Sequence, residues 1–225
     1  GADYAAGKEE LAAFKTRFEK AGGTWVDEFY SPMGTQDFGP YLQRIQQQAG
    51  NIDAVFQFHG LSSDAIRLVV QYEEFGLKDQ IPLIASGATT DDSILAEMGD
   101  AAVGLVSGTV YTASIDTPGN KEFVQKFQDK YDRRPGQVDY LGYLGGLVAR
   151  AAIEAVKGNV EDKKAFLQAI KSVRVEAPAG LFTFYPESQG PVHTVYICRV
   201  AKASDGSYYN EIIQTISNVD DMTFM

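Results

Sequence analysis

The chain has 225 residues, which is enough for one large domain or for two smaller lobes with cores of their own. Hydrophobic residues make up 44% and charged residues 22%, which excludes a disordered chain. A net charge of −10 argues against a nucleic-acid-binding protein, because a grip on phosphates needs clustered Lys and Arg.

The first half of the chain alternates helices and strands. Tyr4 lies where a strand would lead into a helix, so we expect a strand before it. The series of helices and strands therefore begins with the second half of an α/β repeat. Short apolar strands between glycine-closed helices predict a parallel sheet covered on both faces. The predicted elements are a helix with Leu11, Phe14 and Phe18, a strand over 24–30, a helix with Phe38, Leu42 and Ile45, a strand over 53–58, a helix with Ile66, Val69 and Val70, and strands over 81–85 and 104–111.

The pattern changes near residues 113–118, which we predict to be a crossover between two lobes. Thr117 as the N-cap and Pro118 at the first helical position predict the start of a helix. Two more helices follow without a clear strand between them, and strands are predicted near 181–184, 192–200 and 209–216. The three predicted helical stripes are Phe123, Phe127 and Tyr131, then Leu141, Leu144, Val148 and Ile153, and finally Phe166, Leu167 and Ile170.

Residues that carry catalytic or metal chemistry are not grouped in this sequence. The histidines, His59 and His193, lie far apart and have no Cys or second His at metal-ligand spacing. The single cysteine, Cys198, lies in an apolar run that predicts a buried, inert thiol. We therefore predict a protein that is not an enzyme and that holds no metal or cofactor. Ser62 is interpreted as a helix N-cap, and Asp91-Asp92 as N-cap residues of a short helix.

The positive signal lies at the carboxyl ends of the predicted strands. In open α/β sheets small ligands bind at that edge, where strand-end loops and helix N-termini converge. The candidates there are Tyr4, Phe58-His59-Gly60 and Ser86-Gly87, within 85–89. They combine an aromatic wall, small residues and hydroxyl or backbone donors, which suits a small and partly apolar or aromatic ligand with an acceptor group.

Several stretches, in this order and spacing, resemble one known family. It is that of the periplasmic solute-binding proteins of branched-chain amino acid-type ABC transporters, with the two-lobed type I fold. The stretches are Asp3-Tyr4-Ala5-Ala6-Gly7-Lys8-Glu9, Ala21-Gly22-Gly23, Gln36-Asp37-Phe38, Ile52-Asp53-Ala54-Val55, Phe75-Gly76-Leu77, Ile81-Pro82-Leu83, Ala101-Ala102-Val103-Gly104, Asp116-Thr117-Pro118-Gly119-Asn120-Lys121-Glu122-Phe123-Val124 and Arg134-Pro135.

The resemblance implies how the chain is divided. Residues 1–113 would form the main part of lobe two, 114–190 the second, helical part of lobe one, and 191–225 a hinge-crossing return to lobe two. It also implies that the first half of lobe one is absent from these 225 residues. Apolar surface on the helices near 119–173 would then be covered by that missing N-terminal segment, or by a second copy of the chain.

The resemblance also implies the binding residues and the partners. Tyr4 matches the pocket tyrosine, Phe58–Gly60 and Ser86-Gly87 match two ligand-facing loops, and Tyr140 matches an aromatic residue near the lid of an inter-lobe cleft. The expected partners are a small-molecule ligand and a membrane permease, with no nucleic acid, and the expected location is periplasmic or otherwise extracytoplasmic.

One departure from the family bears on the ligand. Amino-acid-binding members commonly carry an acidic residue on the loop that Ser86, Gly87 and Ala88 occupy here. A buried ammonium without a counter-charge is costly. The sequence therefore predicts a ligand that is either amino-acid-like or an aromatic or aliphatic carboxylate, with preference for the carboxylate.

Two other classes of protein stay open at this point. The first is the ligand-sensing domain of a receptor or transcriptional regulator with the same fold, which would carry a membrane segment or a DNA-binding helix-turn-helix elsewhere. The second is an α/β enzyme, which would need a nucleophile and base or a cofactor loop that the sequence does not display.

Overall fold

The computed structural model of this chain describes residues 1–60 and 62–220. It forms two compact units, unit one from Gly1–Gly108 and Cys198–Glu211, and unit two from Thr109–Ile197 and Ile212–Met225. The predicted lobes, 1–113, 114–190 and 191–225, stay a prediction about the complete protein, and residues 221–225 of the last one lie outside the described residues.

Unit one is built on a parallel sheet in which β1, β2 and β3 are neighbours in that order. Gln57 pairs with Ala85 and Ile84 with Val106, so the carboxyl ends of all three strands meet at one edge. The elements are α1 (Ala5–Lys20), α2 (Gly39–Gln47), β1 (Val55–Gln57), α3 (Ser63–Glu74), β2 (Leu83–Ser86), α4 (Leu95–Met98) and β3 (Val106–Thr109).

The core of unit one lies between this sheet and its helices. On α1, the Phe14 ring stacks on Phe56 of β1 with centroids 3.8 Å apart. Leu42 of α2 and Val69 of α3 are buried, as their helical spacing predicts. At α3 the hydroxyl of Ser62 accepts from the Ala65 N–H, which confirms the predicted N-cap. The mixed α/β class predicted from the sequence is confirmed.

The strand predicted over 24–30 is wrong. Residues 24–30 form no strand. The residue that follows them, Ser31, makes an isolated parallel bridge with Ala2. The partner is the short stretch Gly1–Asp3, whose hydrogen bonds to this segment are made with Phe29 and Ser31 at its end. An apolar alternating pattern makes a strand only where another strand lies beside it to satisfy its backbone groups.

Unit two contains three helices in succession, as predicted, and then an antiparallel β-structure. Ala177 pairs with Gly180, and Gly180 has a φ of +106°, which suits the tight turn between β4 and β5. Strand β4 was not predicted. The elements are α5 (Pro118–Tyr131), α6 (Gln137–Ala155), α7 (Lys163–Lys171), β4 (Arg174–Ala177), β5 (Gly180–Phe184), β6 (Pro191–Lys202) and β7 (Tyr208–Val219); β6 and β7 each contribute residues to both units.

Two sequence predictions on single residues are confirmed in these elements. Thr117 accepts a hydrogen bond from the Asn120 N–H and caps α5. Cys198 is fully buried on β6, and burial raises the pKa of its thiol to about 12, so it stays a neutral thiol at physiological pH. Among the helices of the described residues, none combines the length and apolarity that crossing a bilayer requires.

The cap at Thr117 gives a testable prediction for unit two. The Thr117 hydroxyl both accepts from the Asn120 N–H at 3.1 Å and donates to the Pro178 carbonyl at 3.2 Å. We expect Thr117→Ala to lower the free energy of unfolding by about 1 kcal/mol. Thr117→Ser keeps the hydroxyl and is the matched control. Urea unfolding checks this, and equal stability of T117A and the parent chain would contradict the cap.

Candidate functional site

The carboxyl edge of the unit-one sheet brings together Tyr4, Phe58 and Gly60. The Tyr4 and Phe58 rings lie 6.5 Å apart between centroids and are tilted by 36°. A Cβ atom placed on Gly60 would come within 3.3 Å of the Tyr4 hydroxyl, and Gly60 has a φ of +66°. Tyr4 and Phe58 are half-buried. They therefore form an aromatic surface against which the backbone at Gly60 approaches closely.

Backbone hydrogen bonds hold Tyr4 at this position. Ala2 donates its N–H to the Phe58 carbonyl at 3.0 Å, and Asp3 donates to the Ser31 carbonyl at 2.8 Å. Residues 1–3 thus lie as a short strand between residues 29–31 and the end of β1. Tyr4 follows directly and is the N-cap residue of α1, with extended φ and ψ. Its ring is fixed between a sheet and a helix N-terminus.

His59 faces the interior of unit one. Its Nε2 lies 2.9 Å from the Ser31 hydroxyl, and its Nδ1 lies 3.0 Å from Oε1 of Gln57. Because an amide oxygen only accepts, Nδ1 carries the proton and Nε2 accepts from Ser31. The ring also meets the Phe38 ring edge-on at 5.4 Å. Both ring nitrogens are therefore engaged by groups of unit one.

The imidazole of His59 is held neutral. Burial lowers its pKa to about 4, with a smaller contribution from the Gly1 ammonium and an opposing one from Asp64. At physiological pH His59 adds no positive charge to the edge. Its two hydrogen bonds hold the side chains of Ser31 and Gln57 beside the end of β1.

The second candidate loop, Ser86-Gly87, lies at the carboxyl end of β2. Since Gln57 pairs with Ala85, the next residues along, Phe58 and Ser86, lie side by side at the carboxyl edge, where Ser86 is the last residue of β2 and still pairs with Gly108 of β3. Both residues of the loop are buried, and the Ser86 carbonyl accepts from the Thr89 N–H at 3.0 Å. This closes a tight turn at the edge.

Buried hydroxyl and amide groups anchor that turn. The Thr90 hydroxyl lies 2.5 Å from the Ser107 hydroxyl on β3. Asn210, from β7, donates its amide N–H to the Thr90 carbonyl at 2.8 Å. Asn210 is separated from Thr90 by 120 residues, and no local pattern marks it. It is the residue of this site that the sequence could not reveal.

The carboxylates near this edge have partners of their own. Asp91, predicted as an N-cap, instead accepts from the backbone N–H and the hydroxyl of Ser93, and α4 begins only at Leu95 with Ile94 as its N-cap. This prediction is wrong. An aspartate side chain is short and readily accepts a hydrogen bond from the backbone N–H two residues further along the chain, and it does not reach the first turn of a helix that begins at Leu95. Asp64 accepts from Gly34 N–H and Arg67, and Asp3 pairs with Lys8.

The last candidate, Tyr140, lies in unit two. It is buried on α6 and its ring stacks on Tyr111 at 4.6 Å and 9° between planes. Burial, and then the neighbouring Tyr196, raise the pKa of its phenol to about 12. Within unit two it is a core residue, and its role toward a ligand stays a prediction.

Comparison with known proteins assigns the chain to a family. The family model described as "Periplasmic binding protein" matches residues 1–207. The chain belongs to the periplasmic binding protein family. A curated relative, Leu/Ile/Val-binding protein homolog 6 of Brucella suis, is 34% identical over 223 residues. That match covers 97% of this chain and 56% of the relative, so the chain spans little more than half the length of this periplasmic binding protein.

Two solved structures of ABC transporter binding proteins are also similar. One, a substrate-binding protein from Sphaerobacter thermophilus, is 60% identical with a TM-score of 0.94, and the match covers 98% of this chain and 60% of that one. Another, a solute-binding protein from Rhodopseudomonas palustris in complex with 3,4-dihydroxybenzoic acid, is 35% identical with a TM-score of 0.89, over the same shares of each chain.

His59 provides a test of the buried network through pH. Its pKa lies below that of an unfolded histidine, so the unfolded chain binds more protons between about pH 4 and 6.5, and stability falls as the pH is lowered through that range. At about 1.4 kcal/mol for each pKa unit, His59 accounts for at most about 3 kcal/mol of that loss.

We expect His59→Gln to remove this part of the acid sensitivity. The measurement is urea unfolding at several pH values from 4 to 7, comparing the slope of stability against pH in H59Q and the parent chain. Carboxylates titrate in both chains and cancel in the difference. His193→Gln is the matched control for the other histidine. Parallel slopes in H59Q and the parent chain would contradict the assignment.

Proposed function

We propose that the complete protein is the extracytoplasmic solute-binding component of an ABC importer, and that it captures a small carboxylate with an aromatic or aliphatic body. The observation that carries the ligand class is how the described residues at this edge carry their charge. Ser86 and Gly87 are uncharged, and the carboxylates of Asp3, Asp64, Asp91 and Asp92 are each engaged by a neighbour.

Electrostatics at this edge favour an anion over a zwitterion. Tyr4, the N-cap residue of α1, makes no capping hydrogen bond with its side chain, and the first turn of the helix contains no acidic residue. Its backbone N–H groups and the positive end of its dipole therefore stand next to the Tyr4–Phe58 surface. A ligand carboxylate would find donors here, whereas an α-ammonium would lose its hydration without a counter-charge.

The aromatic pair suits the rest of such a ligand. Tyr4 and Phe58 offer a tilted, half-buried ring surface with one hydroxyl, and Gly60 leaves room for close approach. An aromatic ring would gain burial and favourable ring contacts there. The relative that holds 3,4-dihydroxybenzoic acid is consistent with this class, and the Leu/Ile/Val-binding relative is the reason to test amino acids beside it.

The remaining roles follow from the family and are part of the proposal. The liganded protein would dock on a membrane permease outside the cytoplasm and would release its ligand unchanged. The described residues include no group of three or more His, Cys, Asp or Glu placed to hold a metal ion. The cellular test is uptake of the ligand by cells that carry the complete protein and its permease. We expect deletion of either one to abolish uptake.

The direct test is calorimetric titration of the complete encoded protein. We expect 4-hydroxybenzoate, benzoate or a branched 2-oxo acid to bind at least about tenfold more tightly than leucine. Tyr4→Ala should weaken the preferred ligand by about tenfold or more, since a buried aromatic contact is lost. Tyr131→Ala on α5 removes an exposed tyrosine and is the matched control. Micromolar binding of leucine with none of the carboxylates would overturn the ligand class.

We further propose that chain outside these 225 residues covers the outer face of α6 and α7. Helix α7 has no buried residue, and large apolar side chains on both helices are exposed. Scattered exposed apolar residues are normal, but several large ones on two helices that pack against each other indicate an interaction surface. The exposed set is Val138, Leu141, Tyr143, Ile153 and Leu167.

Light scattering on the 225-residue chain and on the complete protein tests this. We expect the complete protein to be monomeric and the shorter chain to associate as its concentration rises. Replacing Leu141 and Leu167 by Gln should reduce that association, while changing exposed Lys126 and Lys164 to Gln should not. A monomeric short chain at all concentrations would contradict the proposal, and a dimeric complete protein would point to a second copy as the cover.

A further inference from the structure

A short loop after Ser31 extends from the carboxyl edge of unit one beside the candidate site. Ser31 makes a parallel bridge with Ala2, so the residues that follow Ser31 leave the sheet on the same side as Tyr4. The Ser31 hydroxyl is also hydrogen-bonded to the ring of His59 at 2.9 Å. We call residues 32–37 the edge loop. Its base is therefore fixed next to the aromatic surface.

The tip of the edge loop is a β-turn over residues 32–35. The Thr35 N–H donates to the Pro32 carbonyl at 3.3 Å, and the Thr35 hydroxyl donates to the same carbonyl at 2.6 Å. Gly34, at the third position, has a φ of +82°, which glycine adopts without strain. Met33, at the second position, is 71% exposed, the highest value of any large apolar residue in the described part of the chain.

Helix α3 holds the tip of the edge loop through a buried charge. The Asp64 carboxylate is buried, and it accepts from the Gly34 N–H at 2.7 Å and from Arg67 at 2.8 Å. Arg67 also donates to the Thr35 carbonyl at 3.4 Å. A buried carboxylate is costly unless it is paired and hydrogen-bonded, and here the loop backbone supplies one of its bonds. The tip is therefore held in one position on α3.

Gln71, four residues after Arg67 on α3, holds the other end of the edge loop. Its side-chain oxygen accepts from the Phe38 N–H at 2.7 Å, and its side-chain nitrogen donates to the Gln36 carbonyl at 2.9 Å. A single exposed apolar residue is normal on a protein surface. Met33 differs from that case, because four side-chain hydrogen bonds from α3 fix the backbone that displays it.

The chemistry of the edge loop suits a protein partner. Residues 32–36 carry no ionisable side chain, although the chain as a whole has a net charge of −10. The centres of protein interfaces are depleted in charged residues and enriched in methionine, whose flexible and polarisable side chain adapts to an apolar pocket. A loop that is already fixed also loses little conformational entropy when it binds. The edge loop therefore has the features of a pre-formed docking contact.

We propose that the edge loop is a docking contact for the membrane permease, and that Met33 inserts into an apolar pocket of that partner. A partner that takes over the ligand has to approach the edge from which the ligand leaves, and the edge loop lies beside that edge. This inference rests on the proposed function, because it names the surface that meets the permease. It does not depend on which ligand is carried.

The test is binding of the complete protein to its permease in lipid nanodiscs, with empty nanodiscs of the same lipid as the reference. We expect Met33→Gln to weaken docking by at least about tenfold, since an apolar contact inside an interface is lost. Val26→Thr is the matched control, because it also replaces an exposed apolar side chain of unit one by a polar one of similar size. Gln71→Ala keeps Met33 but releases one end of the edge loop, and should weaken docking by about threefold or more.

Calorimetric titration separates this proposal from the ligand class. Titration with 4-hydroxybenzoate and with leucine should give the same affinities for M33Q and the parent protein. A loss of ligand affinity in M33Q would place Met33 at the ligand and overturn the docking contact. If leucine binds and the carboxylate does not, while M33Q still docks more weakly than the parent, the ligand class is wrong and the docking contact is supported.

Three further results would overturn the docking contact. The first is equal docking of M33Q and the parent protein, which leaves the rest of the proposed function in place. The second is equal binding of the parent protein to empty nanodiscs, which would make the bilayer the partner. The third is protection of Met33 from oxidation by hydrogen peroxide in the complete protein alone, which would show that its own chain covers this residue.

Discussion

The ladder of backbone hydrogen bonds around residues 1–3 is the constraint on which unit one depends. Ala2 is bonded to Phe58 on one side, and Gly1 and Asp3 are bonded to Phe29 and Ser31 on the other. These bonds place Tyr4 beside the end of β1 and set the start of α1. The aromatic surface and the uncapped helix N-terminus take their positions from it.

Buried neutral hydrogen bonds support the strand ends at the candidate site. His59 is held uncharged between Ser31 and Gln57, and Asn210 ties the turn after β2 to β7. In a buried setting such neutral groups are satisfied at lower desolvation cost than charges. The first turn of α1 contains no acidic residue, so the N–H groups at its N-terminus lie at this edge without a side-chain cap. That is the physical basis for proposing an anionic ligand.

The sequence predicted most elements because their signals are local. The helical spacing of Leu42 and Ile45 and the cap at Thr117 depend only on nearby residues, and both are confirmed. The strand predicted over 24–30 is wrong because a strand needs a neighbour, which periodicity cannot supply. β4 was missed because its four residues alternate between exposed and half-buried positions and include Arg174 and Glu176.

The location of the candidate site could be predicted from the sequence, but the orientation of its side chains and its long-range contacts could not. Strand-end position led to Tyr4, Phe58 and Gly60, which the structure brings together. That argument cannot tell which way a side chain turns, and His59 turns into the interior of unit one. Nor can it find Asn210, because its contact with Thr90 depends on the return of β7 to unit one. Long-range pairing of this kind is fixed by the tertiary structure alone.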